Sequence, residues 1–114
     1  MVNRLQRVNQ LIKKELSQIL LREIEFPSGV LATVTRVEST PNLIQTRVFI
    51  SVMPEKKTSE VLQILNWQIY ELQQKINKRL KMRPIPRIMF FEDKKTREAG
   101  RIEEILAELK KGEK

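Results

Sequence analysis

Residues 43–53 read Leu43-Ile44-Gln45-Thr46-Arg47-Val48-Phe49-Ile50-Ser51-Val52-Met53. In an extended chain successive side chains point to opposite faces. Ile44, Thr46, Val48, Ile50 and Val52 therefore share one face, and Gln45, Arg47, Phe49 and Ser51 the other. This alternation predicts a strand. Phe49 and Met53 imply partial cover of the second face as well. Just upstream, Ser39-Thr40-Pro41-Asn42 is turn chemistry. Before it, residues 30–38 carry Val34, Thr35 and Val37, which favour an extended backbone. The two segments predict an antiparallel hairpin.

Working outward, residues 3–24 predict a helix. Leu5, Val8, Ile12, Leu16, Ile19 and Leu20 recur at steps of three and four and line one face. Asn3 suits the N-cap. Phe26-Pro27-Ser28-Gly29 ends the helix, since proline cannot continue it. Downstream, residues 54–57 read as a loop, and Thr58 or Ser59 as the cap of a second helix. Val61, Leu65, Leu72, Ile76 and Leu80 form its apolar stripe, widened by Leu62, Ile64 and Ile69. No proline or glycine lies between Thr58 and Arg83. Sharp kinks need such a cause, so one helix is predicted from about Ser59 to Lys81. Pro84 and Pro86 end it, and residues 87–92 predict a third strand. Ile102, Ile105, Leu106 and Leu109 predict a short C-terminal helix at about 98–111.

The predicted order is α-β-β-α-β with a C-terminal helix. Helices in that order should cover one face of a three-stranded sheet, giving an α+β two-layer domain. The long connection permits the second and third strands to lie parallel. With no linker or internal repeat, residues 1–114 should form a single domain.

Composition narrows the chemistry. The 114 residues carry 22 Lys and Arg against 14 Asp and Glu, a net charge of +8. Half of that excess falls within residues 58–88, where six bases meet two acids. Lys75, Lys78, Arg79, Lys81, Arg83 and Arg87 follow one another with no acid between them. A block of one sign repels itself unless solvent or a polyanion lies beside it, and a nucleic-acid backbone is the first partner to consider. There is no cysteine and no histidine. Disulfides, thiolate metal sites, cysteine nucleophiles and the commonest general base are excluded, and no cofactor or metal is expected. No apolar run approaches the ~18 residues that span a bilayer. A cytoplasmic protein without membrane attachment is expected.

Three chemistries compete for these residues. Glu92-Asp93-Lys94 at a strand exit resembles part of a metal-dependent nuclease, with Glu38 as the further carboxylate. A polar strand exit explains the same residues with fewer assumptions. The three glycines, Gly29, Gly100 and Gly112, allow neither a P-loop nor a dinucleotide fingerprint. The predicted order is that of a KH domain with its extra helix at the N-terminus, the type II order. Residues 58–83 hold no glycine, so the GXXG loop that clamps single-stranded RNA in standard KH domains is absent. Trp67 and Tyr70, three apart in the second helix, read as packing aromatics, since helical aromatics usually pack. What remains is recognition of backbone and shape by Arg and Lys.

The chain resembles the ribosome-binding factor A family of bacterial small-subunit assembly factors. The likeness rests on Arg4-x-x-Arg7-Val8, Val34-Thr35-Arg36-Val37-Glu38, Pro41-Asn42-Leu43 and Val48-Phe49-Ile50-Ser51-Val52. It continues through Arg79-Leu80-Lys81-Met82-Arg83, Pro86, Ile88-x-Phe90-Phe91-x-Asp93 and Gly100-Arg101-Ile102. The resemblance implies a KH-like fold and no enzymatic activity. It implies the small (30S) ribosomal subunit and precursor 16S rRNA as partners. It also implies a role in late maturation, including the 5′ end of the precursor, and in growth at low temperature. The family carries an alanine-any-glycine kink inside the second helix, where this chain has Gln68-Ile69-Tyr70. Asn42 stands where aspartate is common, and both suit a turn.

The expected RNA-contacting residues are Arg4, Arg7, Lys75, Lys78, Arg79, Lys81, Arg83 and Arg87, neutralising phosphates, with Asn77 adding a polar contact. A monomer is expected. A general single-stranded RNA or DNA binder is the alternative from the same residues, and the metal-dependent nuclease is the enzymatic one.

Overall fold

The first helix begins where a side chain replaces a missing backbone partner. Asn3 Oδ1 accepts the N–H of Gln6 at 2.8 Å, and Gln6 Oε1 accepts that of Asn3 at 3.3 Å. This reciprocal capping box satisfies two of the donors that every helix start leaves open. The computed structural model describes residues 3–82 and 85–95. Its elements are α1 (Arg4–Arg22), β1 (Leu31–Ser39), β2 (Gln45–Met53), a 3-10 turn (Glu55–Lys57), α2 (Thr58–Trp67), α3 (Ile69–Arg79) and β3 (Arg87–Glu92). The predicted C-terminal helix and Arg83 lie outside the described residues.

The strands form one sheet in the order β1-β2-β3. β1 and β2 pair antiparallel, and β2 and β3 parallel. The helices cover one face. α1 packs on β1, α2 on β2 and β3, and α3 on β3 and α1. Between these layers lie Ile12, Leu16, Ile19, Val48, Ile50, Val61, Leu65, Leu72, Ile76 and Ile88, all buried. In β1 the inward residues Val34 and Val37 stand three apart, which strict alternation forbids. The register shifts between Val34 and Arg36. A bulge absorbs one residue and restores the inward face.

Strict alternation places Ile44 on the inner face, yet it is 63% exposed. Leu43 takes a left-handed backbone, φ 58°, and is itself buried. That conformation turns the chain by one position, so β2 starts at Gln45. The strained turn is held by Thr40 and Asn42. Thr40 Oγ1 accepts from the N–H groups of Ile44 and Gln45, each at 3.2 Å, and Asn42 Oδ1 also accepts from Ile44.

Neither Thr58 nor Ser59 caps α2. The helix continues from the 3-10 turn with Lys57 at the N-cap and no side-chain cap. Thr58 Oγ1 instead donates to Glu55 O at 2.6 Å.

The single helix expected from Ser59 to Lys81 is two helices. Gln68, at φ −102° and ψ 12°, separates α2 from α3, and α3 ends at Arg79. No proline or glycine is involved. In an unbroken helix Gln68 would stand between Leu65 and Leu72 at steps of three and four, in the middle of the buried stripe. Burying its amide there without partners would cost about 1–3 kcal/mol. With the break, Leu65 and Leu72 are both buried while Gln68 stays half-exposed. The ladder is partly repaired: Gln68 N donates to Leu65 O at 3.2 Å and Leu72 N to Gln68 O at 2.9 Å.

Candidate nucleic-acid interface

Several element ends meet at one end of the sheet. β1 finishes at Ser39, whose Oγ donates to Asn9 Oδ1 of α1 at 2.5 Å and lies 2.7 Å from Thr46 Oγ1. β3 starts beside β2, because Arg87 N donates to Ile44 O at 2.9 Å. α3 lies beside α1. Lys75 Nζ lies 3.3 Å from Glu23 at the foot of α1, while Arg79, one turn on, also reaches Glu15. The N-terminal half of α1 and the start of β3 therefore share that end, while Arg79 holds the C-terminal end of α3 beside the C-terminal half of α1.

The residues expected to contact RNA divide into two groups. Arg4, Arg7, Lys78, Lys81 and Arg87 are exposed and form no ion pair among the described residues. Lys75 and Arg79 hold α3 on α1. Arg79 lies 2.6 Å from Glu23 and 3.5 Å from Glu15, and Lys75 also pairs with Glu23. Asn77 is half-buried and accepts from Gln73 Nε2 at 3.1 Å.

Gln73 carried no sequence signal, yet it fixes the start of β3. Its Nε2 donates to Pro86 O at 3.1 Å, and its Oε1 accepts from Ile88 N at 2.9 Å. β3 is an edge strand, and these backbone groups flank Arg87, whose own N–H turns toward β2. The amide thus plays the part of a missing neighbouring strand and positions Arg87. Gln73→Ala leaves two part-buried backbone groups unpaired. It should lower stability by about 1–3 kcal/mol, read as a shift of the urea midpoint; an unchanged midpoint would remove this role.

The carboxylates considered for a nuclease serve the fold. Asp93 is 3% exposed. Its Oδ2 accepts from Thr35 Oγ1 at 2.5 Å and lies 3.6 Å from Arg36 Nε, while its Oδ1 accepts from Lys95 N at 3.1 Å. Glu38 holds Arg36 Nη1 at 2.6 Å. A guanidinium thus stands between Glu38 and Asp93, where a metal-dependent site would place its cation. No group of three acidic or metal-binding side chains gathers among the described residues. Arg36 also lies 3.9 Å over the Phe49 ring, and Phe49 meets Phe91 at 5.9 Å between ring centres. This row gives the second face of β2 the partial cover its sequence implied.

Trp67 and Tyr70 do not pack. They flank the break at Gln68 with exposures of 92% and 73%. Helical spacing could have revealed this, because each stands two positions from a stripe residue, Leu65 or Leu72, and so on the opposite side of the helix.

A three-stranded mixed sheet with helices on one face, in α-β-β-α-β order and without a GXXG loop, defines an α+β KH-like protein of the type II order. The sequence profile described as Ribosome-binding factor A matches residues 4–106. The chain belongs to the ribosome-binding factor A family, which is non-enzymatic. The relative from Thermodesulfovibrio yellowstonii is 37% identical over 108 residues, covering 95% of this chain and 92% of its own. The relative from Bdellovibrio bacteriovorus is 35% identical over 107 residues, covering 93% and 80%. The crystal structure of ribosome-binding factor A from Thermus thermophilus shares the fold, with a TM-score of 0.67, 22% identity and coverage of 77% of this chain and 93% of that one. So do coordinates of the Thermus thermophilus factor fitted into a cryo-EM map of a 30S complex, with a TM-score of 0.63, 23% identity and coverage of 73% and 88%. The break at Gln68 falls in the segment set against the family's small-residue kink. No helix among the described residues is long and apolar enough to cross a membrane.

Proposed function

We propose that this chain is a non-enzymatic assembly factor that binds the small ribosomal subunit and its rRNA. It assists late maturation, including processing of the 5′ end of the 16S precursor. The observation that carries this reading is that Arg4, Arg7, Lys78, Lys81 and Arg87 are all exposed, with no ion pair among the described residues. Phosphates bound by these cations would release condensed counterions, which would supply the affinity. Arg83, two positions after Lys81, belongs to the same proposed contact. Lys75 and Arg79 contribute positive potential from their ion-paired positions, and Asn77 lies beside them. Family membership supports the ribosome as the source of the RNA, as does the fit of the Thermus thermophilus relative into a 30S map.

Sedimentation of a lysate through a sucrose gradient at low salt, followed by immunoblotting, tests this. The protein should travel with free small subunits or their precursors as a monomeric ligand. Even distribution over polysomes, or recovery only at the top of the gradient, would overturn the reading. Retention on any single-stranded RNA or DNA with no subunit peak would identify a general binder instead.

A further inference from the structure

We infer that Trp67 and Tyr70 form a stacking platform for unpaired bases of single-stranded RNA, at the head of a strand-binding track along α3. This rests on the RNA-binding reading above and adds a site to it. Trp67 is almost wholly exposed, and Tyr70 nearly three-quarters so. Leaving two large rings in water forgoes the burial that makes aromatics stabilising in a core. The fold has no need of them there, because Leu65 and Leu72 on either side already fill the core.

The track is defined by helical spacing. Tyr70, Gln74 and Lys78 recur at steps of four, so they stand one above another on α3. The same line continues into an open groove lined by Gln74, Asn77, Lys78, Leu80, Lys81 and Met82. Lys78 and Lys81 form no ion pair among the described residues. Glu71 lies on the flank of the line and not along it. An aromatic pair at one end, amides in the middle and free ammonium groups at the other match what an unpaired strand offers. Bases have stackable faces, sugars and base edges have hydrogen-bonding groups, and phosphates carry charge. A double helix keeps its base faces stacked internally, so the platform selects single strands. A peptide would use the rings but leave the lysines without acidic partners unless it were acidic, and the RNA carries both matches at once.

The chain has a single tryptophan, so its fluorescence reports on this site alone. The full-length protein would be titrated with a short oligoadenylate and with an abasic ribose-phosphate oligomer of equal length. Oligoadenylate should quench Trp67 and bind more tightly than the abasic oligomer, by about 5- to 150-fold, the range one base–aromatic stack supplies. Trp67→Ala and Tyr70→Ala should each weaken oligoadenylate binding within that range, measured by anisotropy of a labelled strand. Abasic binding should stay unchanged. Both side chains are exposed, so circular dichroism of the variants should match the parent. Equal affinity of parent and variants for oligoadenylate, with binding still lost in Lys78→Ala/Lys81→Ala, would overturn the platform and leave the backbone-binding reading intact. Loss of small-subunit binding in Trp67→Ala with RNA affinity unchanged would also overturn it, and would mark a protein contact. Failure of the parent to bind either oligomer or the subunit would overturn the RNA-binding reading itself.

Discussion

Raising the salt from ~50 to ~200 mM should weaken binding to single-stranded RNA roughly 100-fold. The size follows from the exposed, unpaired bases among the described residues. Arg4, Arg7, Lys78, Lys81 and Arg87 are exposed and form no ion pair among the described residues. If each neutralises one phosphate, at a slope of roughly −0.7 per phosphate, a fourfold rise in salt removes about two decades of affinity. Replacing Lys78 and Lys81 together by alanine should reduce the slope by about 1.4. Replacing Lys75 or Arg79 should act differently. Those side chains already hold Glu23 and Glu15, so their loss first loosens α3 on α1, by the ~0.2–1 kcal/mol of a surface ion pair. Binding that ignores salt, or a slope indifferent to Lys78 and Lys81, would contradict phosphate neutralisation by these bases.

Asp93→Ala should cost about 3 kcal/mol of stability without abolishing RNA binding by the protein that remains folded. The carboxylate is buried where β3 ends. It accepts from Thr35 Oγ1 and Lys95 N and faces the Arg36 guanidinium. Its own backbone N–H donates to Ile50 O at 2.8 Å. Removing one partner of a buried charged group leaves the others without compensation, which costs more than the net worth of the pair. The urea midpoint should fall with an unchanged slope, since the surface exposed on unfolding is the same. A stability-neutral variant that lost Mg²⁺-dependent cleavage of labelled RNA would restore the nuclease reading. Glu38 and Asp93 share Arg36, so the expected result is lost stability with no cleavage in either protein.

Much of this architecture is legible residue by residue. The alternation from Gln45 to Val52, the Asn3 cap and the third strand at 87–92 all arise within a few residues of chain. Backbone sterics and side-chain spacing act at that range, and the observed elements follow the predicted ones there. The basic run is likewise written in the sequence.

Other features depend on residues brought together from far apart. Helix propensity favours an unbroken rod through Gln68, but the rod would set an amide between Leu65 and Leu72 against the sheet, and packing breaks it. Leu43 takes the left-handed position because the core accepts its side chain, which sends Ile44 outward. Arg79 is drawn from the free bases by Glu15 and Glu23, 64 and 56 positions away. Gln73 becomes a partner for β3 only when that strand lies along α3. The sequence by itself determined the elements, their order and the sign of the surface, because these rest on local sterics and composition. Tertiary structure alone decided where the long helix breaks and which of the described cations are ion-paired, because those follow from burial and pairing across the chain.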